Sequence, residues 1–187
     1  MKQLSSIIFV VISALFLISC EGNSPTHDQP SLMQKSAKRG VSFNFTNIQD
    51  LPLLSPAISW SYNWANDQNS TAALWFDTNE MDFCPMCWNG SYSAAKIRQY
   101  VQEHPNTKYL LGFNEPNLTD QCNMTPTQAA EQWPQVVALA RELNLKLISP
   151  AMNYGTLAGY HDPIKWLDET FAQHKVTLDE LHAIAIQ

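Results

Sequence analysis

The chain has 187 residues, 45% of them hydrophobic and 15% charged, with a formal net charge of −6. That is apolar material for one core at a length suited to one domain, and an acidic balance without a basic stripe argues against a nucleic-acid partner. Aromatics make up 11% of the residues, including six Trp. Several of them fall in predicted loops and strand ends, where an aromatic face suits a flat, uncharged partner such as a sugar as well as it fills a core.

At the N-terminus, MKQ supplies a positive charge, Ile7 to Ile18 form an apolar run, and Ser19-Cys20 follow. The run is too short to span a bilayer comfortably, and the order is that of a secretory signal. Its ending, LISC, resembles the lipobox of bacterial lipoproteins. That resemblance implies cleavage before Cys20, lipid attachment to its sulfur, and an exported protein anchored to a membrane of the bacterial cell envelope, since two lipid signals already give stable anchoring. From Cys20 to Lys38 the chain is polar, carries Pro25 and Pro30, shows no periodicity, and reads as a tether. The expected domain organisation is therefore a signal at 1–19, a tether at 20–38 and a folded part at 39–187.

From Gly40 onward, short apolar or aromatic runs predict strands at 40–45 (GVSFNF), 57–64 (AISWSYNW), 82–88 (DFCPMCW), 108–116 (KYLLGFNEP), 145–153 (LKLISPAMN) and 181–186 (LHAIAI). Helical patterns lie between the later ones. Ser91 to His104 places Ala94, Ile97, Val101 and His104 on one face and is stopped by Pro105. Thr125-Pro126-Thr127-Gln128 is a capping-box pattern, and from Ala129 to Leu143 an apolar stripe runs at helical spacing, with Pro134 expected to kink or split it. Trp133 and Trp166 sit on such stripes and read as core. Asp162-Pro163 opens a third helix with Ile164, Leu167 and Phe171 inside.

Alternating strands and helices predict βαβ units and a parallel sheet. No glycine-rich phosphate loop follows the first strand. The expected fold class is therefore α/β, a (β/α)8 barrel of which about six of eight units are present, since eight units typically need about 250 residues. The expectation is that the chain is a fragment.

In such barrels chemistry sits at the C-terminal ends of the strands. Those ends carry Asn44 and Phe45, Tyr62, Asn63 and Trp64, Trp88 and Asn89, Asn114, Glu115 and Asn117, then Asn153 and Tyr154. Amides exchange hydrogen bonds with hydroxyls and aromatic faces stack on sugar rings, as a carbohydrate site requires. Glu115 is the one carboxylate among them. Partly desolvated, it would have its protonated form favoured, as a general acid needs. Read alone, Asn-Glu-Pro-Asn is equally a turn whose carboxylate is solvated. A two-carboxylate glycosidase needs a partner for Glu115, and none is evident: Glu80 and Asp82 begin their strand at the opposite end, Asp120 is in a loop, and Glu169, Asp179 and Glu180 read as surface.

GFNEPN resembles the end of strand four in the clan A glycoside hydrolases. ISWSYNW, DFCPMCWNG, YLLGFNEPN, MTPTQAAEQWP, LISPAMN and WLDETFA follow, in order, the pattern of glycoside hydrolase family 128, the alkali-sensitive-linkage-like catalytic domain, across residues 39–187. The resemblance implies a retaining endo-β-1,3-glucanase acting on β-glucan polysaccharide, a monomer without metal or cofactor. It implies Glu115 as acid/base, Asn114 beside it on the sugar's 2-hydroxyl, and Tyr62, Trp64, Trp88, Asn117 and Asn153 in the substrate-binding cleft. The family's nucleophile, a glutamate at the end of strand seven, is not reached by this chain, which is therefore expected to be inactive alone. The alternative is a non-catalytic glycan-binding envelope lipoprotein. Cys84, Cys87 and Cys122 allow one disulfide of undetermined pairing, and Cys84-Pro-Met-Cys87 allows a weaker thiol-redox reading.

Overall fold

The computed structural model describes residues 34–174 and 180–187. The signal, Cys20 and most of the tether lie outside the described residues. Among the described residues six strands alternate with five α-helices: β1 (Ser36–Ser42), α1 (Leu51–Leu54), β2 (Ile58–Tyr62), α2 (Ser70–Thr78), β3 (Asp82–Phe83), α3 (Ala94–Glu103), β4 (Tyr109–Leu111), α4 (Pro126–Glu142), β5 (Lys146–Met152), α5 (Pro163–His174) and β6 (Ala183–Ile186). All the pairings are parallel, in the orders β1-β2-β3 and β4-β5-β6. A parallel bridge between Met86 and Leu111 joins the two groups. The result is a curved sheet in strand order, six strands of a (β/α)8 barrel.

The expected strand at 82–88 is regular only over its first two residues. Beyond Phe83 the segment zips between two neighbours: the amides of Cys84 and Met86 donate to Ser61 and Ala65, while Leu111 donates to Pro85 and Cys87 to Leu111. Pro85 has no N–H to give, which breaks the ladder without breaking the sheet. β1 begins at Ser36, inside the stretch read as tether, and ends before Asn44.

Local chemistry sets the helix starts. Side chains of Asn69, Ser93 and Thr125 accept from the backbone at the first turns of α2, α3 and α4. At Thr125 the full capping box forms: Gln128 N donates to Thr125 Oγ1, and Thr125 N donates to Gln128 Oε1. α4 runs unbroken through Pro134, contrary to the expected split. Pro134 lies on the exposed side, while Trp133, Val136 and Val137 on either side of it are buried in one cluster and keep both halves on the same surface. α2 is an element the apolar pattern did not show. Ala72, Ala73 and Phe76 are its buried face, but Leu74 is 64% exposed and blurs the periodicity.

Two apolar clusters lie between sheet and helices. One joins Leu110, Phe113, Leu147 and Met152 to Trp133, Val136, Trp166 and Phe171, and the other joins Ile58 and Phe83 to Phe45, Phe76 and Tyr100. Trp133 and Trp166 are fully buried, as their place on helical stripes predicts. On the opposite, concave face, Trp60, Tyr62, Cys84, Tyr109, Leu111 and Ile148 line a cavity of about 580 Å³.

Thr125→Ala removes one half of the capping box, and the expected cost is about 1 kcal/mol of unfolding free energy. Urea denaturation followed by circular dichroism measures it, and an unchanged midpoint would show that α4 does not depend on its cap.

Candidate active site

β4 hands its last residues to β5. Gly112 N donates to Ile148 O (3.2 Å), Ala151 N to Phe113 O (2.8 Å) and Glu115 N to Ala151 O (2.9 Å). A parallel bridge pairs Asn114 with Ala151. The close approach needs glycine at 112, where a Cβ would stand 2.8 Å from both the Pro150 nitrogen and the Trp133 ring. On the other side Asn114 N donates to Trp88 O (2.9 Å). The strand end is thus held from both flanks.

At Glu115 the chain turns, with Leu118 N donating to Glu115 O (3.0 Å). The turn anticipated in Asn-Glu-Pro-Asn is present, yet the carboxylate is not free. Glu115 is half-buried, and Asn153 Nδ2 donates to its Oε1 at 3.1 Å. Its φ is 43°, a left-handed conformation that costs a non-glycine residue roughly 1–2 kcal/mol. Pro116 adds to the constraint, because a residue before proline is disfavoured in the right-handed helical region.

The loop beyond is buttressed from α5. Trp166 Nε1 donates to Met124 O (2.9 Å), and Met124 N donates to Pro116 O (2.8 Å). Asn114 is 2% exposed; its Nδ2 donates to Gln121 Oε1 (3.0 Å), and its Oδ1 is buried without a partner.

The sequence expectation for Asn117 needs correction. This side chain is fully buried, with Nδ2 donating to Asn153 O (2.7 Å) and Tyr160 O (3.3 Å), while its backbone carbonyl accepts from Thr156 and Leu157. It clamps the loop after β5 onto the loop after β4 and presents nothing to a ligand. Asn153, half-buried, holds the carboxylate through Nδ2 and the Tyr154 amide through Oδ1 (2.8 Å).

The remaining expected residues stand at the same, C-terminal end of the sheet. Tyr62 is half-buried and Trp64 is 39% exposed, their rings edge to face at 5.3 Å. Gln187 Nε2 donates to Tyr62 Oη (2.9 Å). Trp88 is half-buried and touches the Glu115 network through its backbone. Phe45, also at a predicted strand end, is fully buried in the core.

Several other described carboxylates have partners of their own. Asp82 pairs with Lys108 (2.7 Å) where β3 begins, Asp77 with His104 (2.7 Å), Asp67 with Lys96 (3.4 Å) and Glu142 with Arg98 (2.7 Å). Glu180 pairs with Arg141, and Glu169 accepts from Tyr160 Oη (2.8 Å). Among the described residues no three His, Cys, Asp or Glu side chains cluster to hold a metal ion.

Cys84, Cys87 and Cys122 are free thiols. Burial pushes the thiols of Cys84 and Cys122 up to about 12 and raises that of Cys87 as well, with Asp82 adding to the effect at Cys84. A redox CxxC works through a depressed thiol pKa, so this pair is built the wrong way for thiol exchange.

A carboxylate among amides and aromatics thus stands at the C-terminal end of the fourth strand of a (β/α) barrel. Residues 40–186 match the glycosyl hydrolase catalytic core family. The chain belongs to that family and, within it, to glycoside hydrolase family 128. It is similar to a subgroup II endo-β-1,3-glucanase of Pseudomonas viridiflava, at 38% identity and a TM-score of 0.74 over 82% of this chain and 61% of that one. It is also similar to a subgroup II endo-β-1,3-glucanase of Sorangium cellulosum, at 35% identity and a TM-score of 0.70 over 80% and 59%. A third relative is a subgroup I endo-β-1,3-glucanase variant of Amycolatopsis mediterranei in complex with laminaritriose and laminaribiose, at 28% identity and a TM-score of 0.57 over 81% and 57%. The chain thus spans less than two thirds of the length of each of these structures. No curated protein matches it.

At pH 8 a thiol with a pKa of about 12 is ionised to about one part in ten thousand. Iodoacetamide should therefore leave Cys84, Cys87 and Cys122 essentially unmodified in the native chain, read by peptide mass spectrometry. Rapid alkylation of Cys84 and Cys87 would restore the redox reading.

Proposed function

We propose that this chain carries the acid/base half of a retaining endo-β-1,3-glucanase, with Glu115 as the general acid/base. The observation that supports this most directly is the half-buried Glu115 carboxylate, fixed by one Asn153 amide at the C-terminal end of β4. Asn153 occupies Oε1, which leaves Oε2 to carry the proton. In the first step that proton passes to the glycosidic oxygen as the bond to the anomeric carbon breaks; in the second the carboxylate takes a proton from the attacking water. Asn114 is assigned to the sugar's 2-hydroxyl by its place next to Glu115 in the Asn-Glu-Pro run, not by its Oδ1, which is buried and unpartnered just as that of Asn117 is. Tyr62, Trp64 and Trp88 offer ring faces for stacking. The polysaccharide substrate, β-1,3-glucan, is proposed from the relatives, which are described as endo-β-1,3-glucanases.

Because no second carboxylate among the described residues is shown within hydrogen-bonding reach of the Glu115 network, we propose that the 187 residues alone bind laminari-oligosaccharides without hydrolysing them. Azide can then stand in for the missing nucleophile. With phenyl β-laminaribioside it would attack the anomeric carbon while phenoxide leaves with the Glu115 proton, giving a glycosyl azide of inverted configuration. The expected outcome is azide-dependent turnover that falls about 10²- to 10⁴-fold in Glu115→Gln, followed by chromatography of the glycosyl azide. Laminarin hydrolysis by the chain that survives Glu115→Gln would overturn the assignment. Laminarin binding with no azide-dependent turnover would favour the glycan-binding reading instead.

We also propose that Cys20 bears lipid and holds the protein at a membrane of the bacterial cell envelope, on the strength of the LISC pattern. Among the described residues no helix is long and apolar enough to cross a membrane. Cys20→Ser should move the protein from the membrane pellet to the soluble fraction; an unchanged distribution would remove the anchor.

A further inference from the structure

Tyr154 follows Asn153 at the C-terminal end of β5, and its side chain is 74% exposed. A single exposed aromatic is ordinary on a protein surface. Tyr154 differs in how firmly it is presented. Its backbone amide is held by Asn153 Oδ1 (2.8 Å), the same carboxamide whose Nδ2 holds Glu115 Oε1 (3.1 Å). The ring lies stacked on His161, with centroids 5.6 Å apart and planes 28° from parallel. His161 in turn is fastened to the loop: its Nδ1 lies 3.0 Å from Gly155 O, and its carbonyl accepts from Gly155 N (2.9 Å).

Gly155 leaves this loop no slack. A Cβ there would stand 2.1 Å from Tyr160 O and 2.6 Å from Asn117 Nδ2. The Asn117 clamp closes the same loop from below. An aromatic plate held this rigidly loses little entropy when a flat ring settles on it, and the exposed face of the ring needs a partner that is apolar on its own face and polar at its edge. A pyranose has that form.

Position sets which pyranose. Tyr62 and Trp64 stand at the end of β2 and Trp88 follows β3, on one side of Glu115, whereas Tyr154 stands at the end of β5 on the other. A proton donor must lie beside the linkage it protonates. We infer that Tyr154, backed by His161, is the stacking platform for the glucosyl unit on the opposite side of the scissile linkage from Tyr62 and Trp64. The inference rests on the β-1,3-glucan reading of the site and extends it to a substrate-positioning residue which that reading did not include.

The test uses the whole chain and laminarihexaose, a ligand long enough to reach both sides, in isothermal titration calorimetry. Tyr154→Ala should weaken binding about threefold to tenfold, the range for one aromatic contact, and Tyr154→Phe should stay within about twofold of the parent, since the ring and not the hydroxyl is used. Trp64→Ala should weaken binding independently, so that the fold-losses multiply in the double variant. An unchanged melting temperature in Tyr154→Ala would confirm that the loss is not structural, as its exposure predicts. Equal affinities of Tyr154→Ala and the parent would overturn this inference alone. A loss that vanishes in the Trp64→Ala background would overturn the placement on opposite sides. Failure of the parent chain to bind laminarihexaose would instead overturn the glucan reading, and this inference with it.

Discussion

The bond from the Glu115 amide to the Ala151 carbonyl ties the segment after β4 to the C-terminal end of β5, and most of the site depends on it. It forms only because Gly112 lets the two strands close up beneath the Trp133 ring. With the strand end fixed there, Asn153 comes within hydrogen-bonding distance of the carboxylate, and Asn117 reaches the loop beyond. Met124 and Trp166 hold the outgoing loop from the helix side. Backbone bonds of this kind fix position with little cost in side-chain entropy, as the role proposed for Glu115 requires.

Two kinds of amide occupy the strand ends, and they divide the work. Asn117 and Asn66 are structural. Asn66 Nδ2 donates to Met86 O (2.9 Å) and its Oδ1 accepts from Ser93 N (3.0 Å), as Asn117 does its own bridging one loop further on. Such clamps let long loops after the strands keep one shape without a large apolar core of their own. Asn153 is functional in the stricter sense, because its partner is the carboxylate itself. Asn114 and Asn117 share one feature, a nitrogen engaged within the fold and a buried Oδ1 without a partner.

The alternation of strands and helices, the cap at Thr125, and the isolation of Glu115 at a strand end were all legible in the sequence, since each is written in residues a few positions apart. The roles of the amides were not. An asparagine at a strand end looks the same whether it meets a sugar or a carbonyl, and what separates the cases at Asn117 is contact with residues 36 and 43 positions later. Pro134 misled for a related reason: its local preference for a break is overridden by burial of Trp133 and Val136 on one surface. The helix Ser70–Thr78 escaped notice because an exposed Leu74 interrupts its apolar face, although Asn69 marks its start.

Glu115 holds a backbone angle that a glycine would adopt without strain. The backbone alone would favour glycine here, while the side chain adds one bond, from Asn153 Nδ2. Stability and chemistry pull in opposite directions at this one residue. The consequence is that only glycine would relieve the backbone at this position, and it would do so at the expense of the bond that Asn153 makes to the carboxylate.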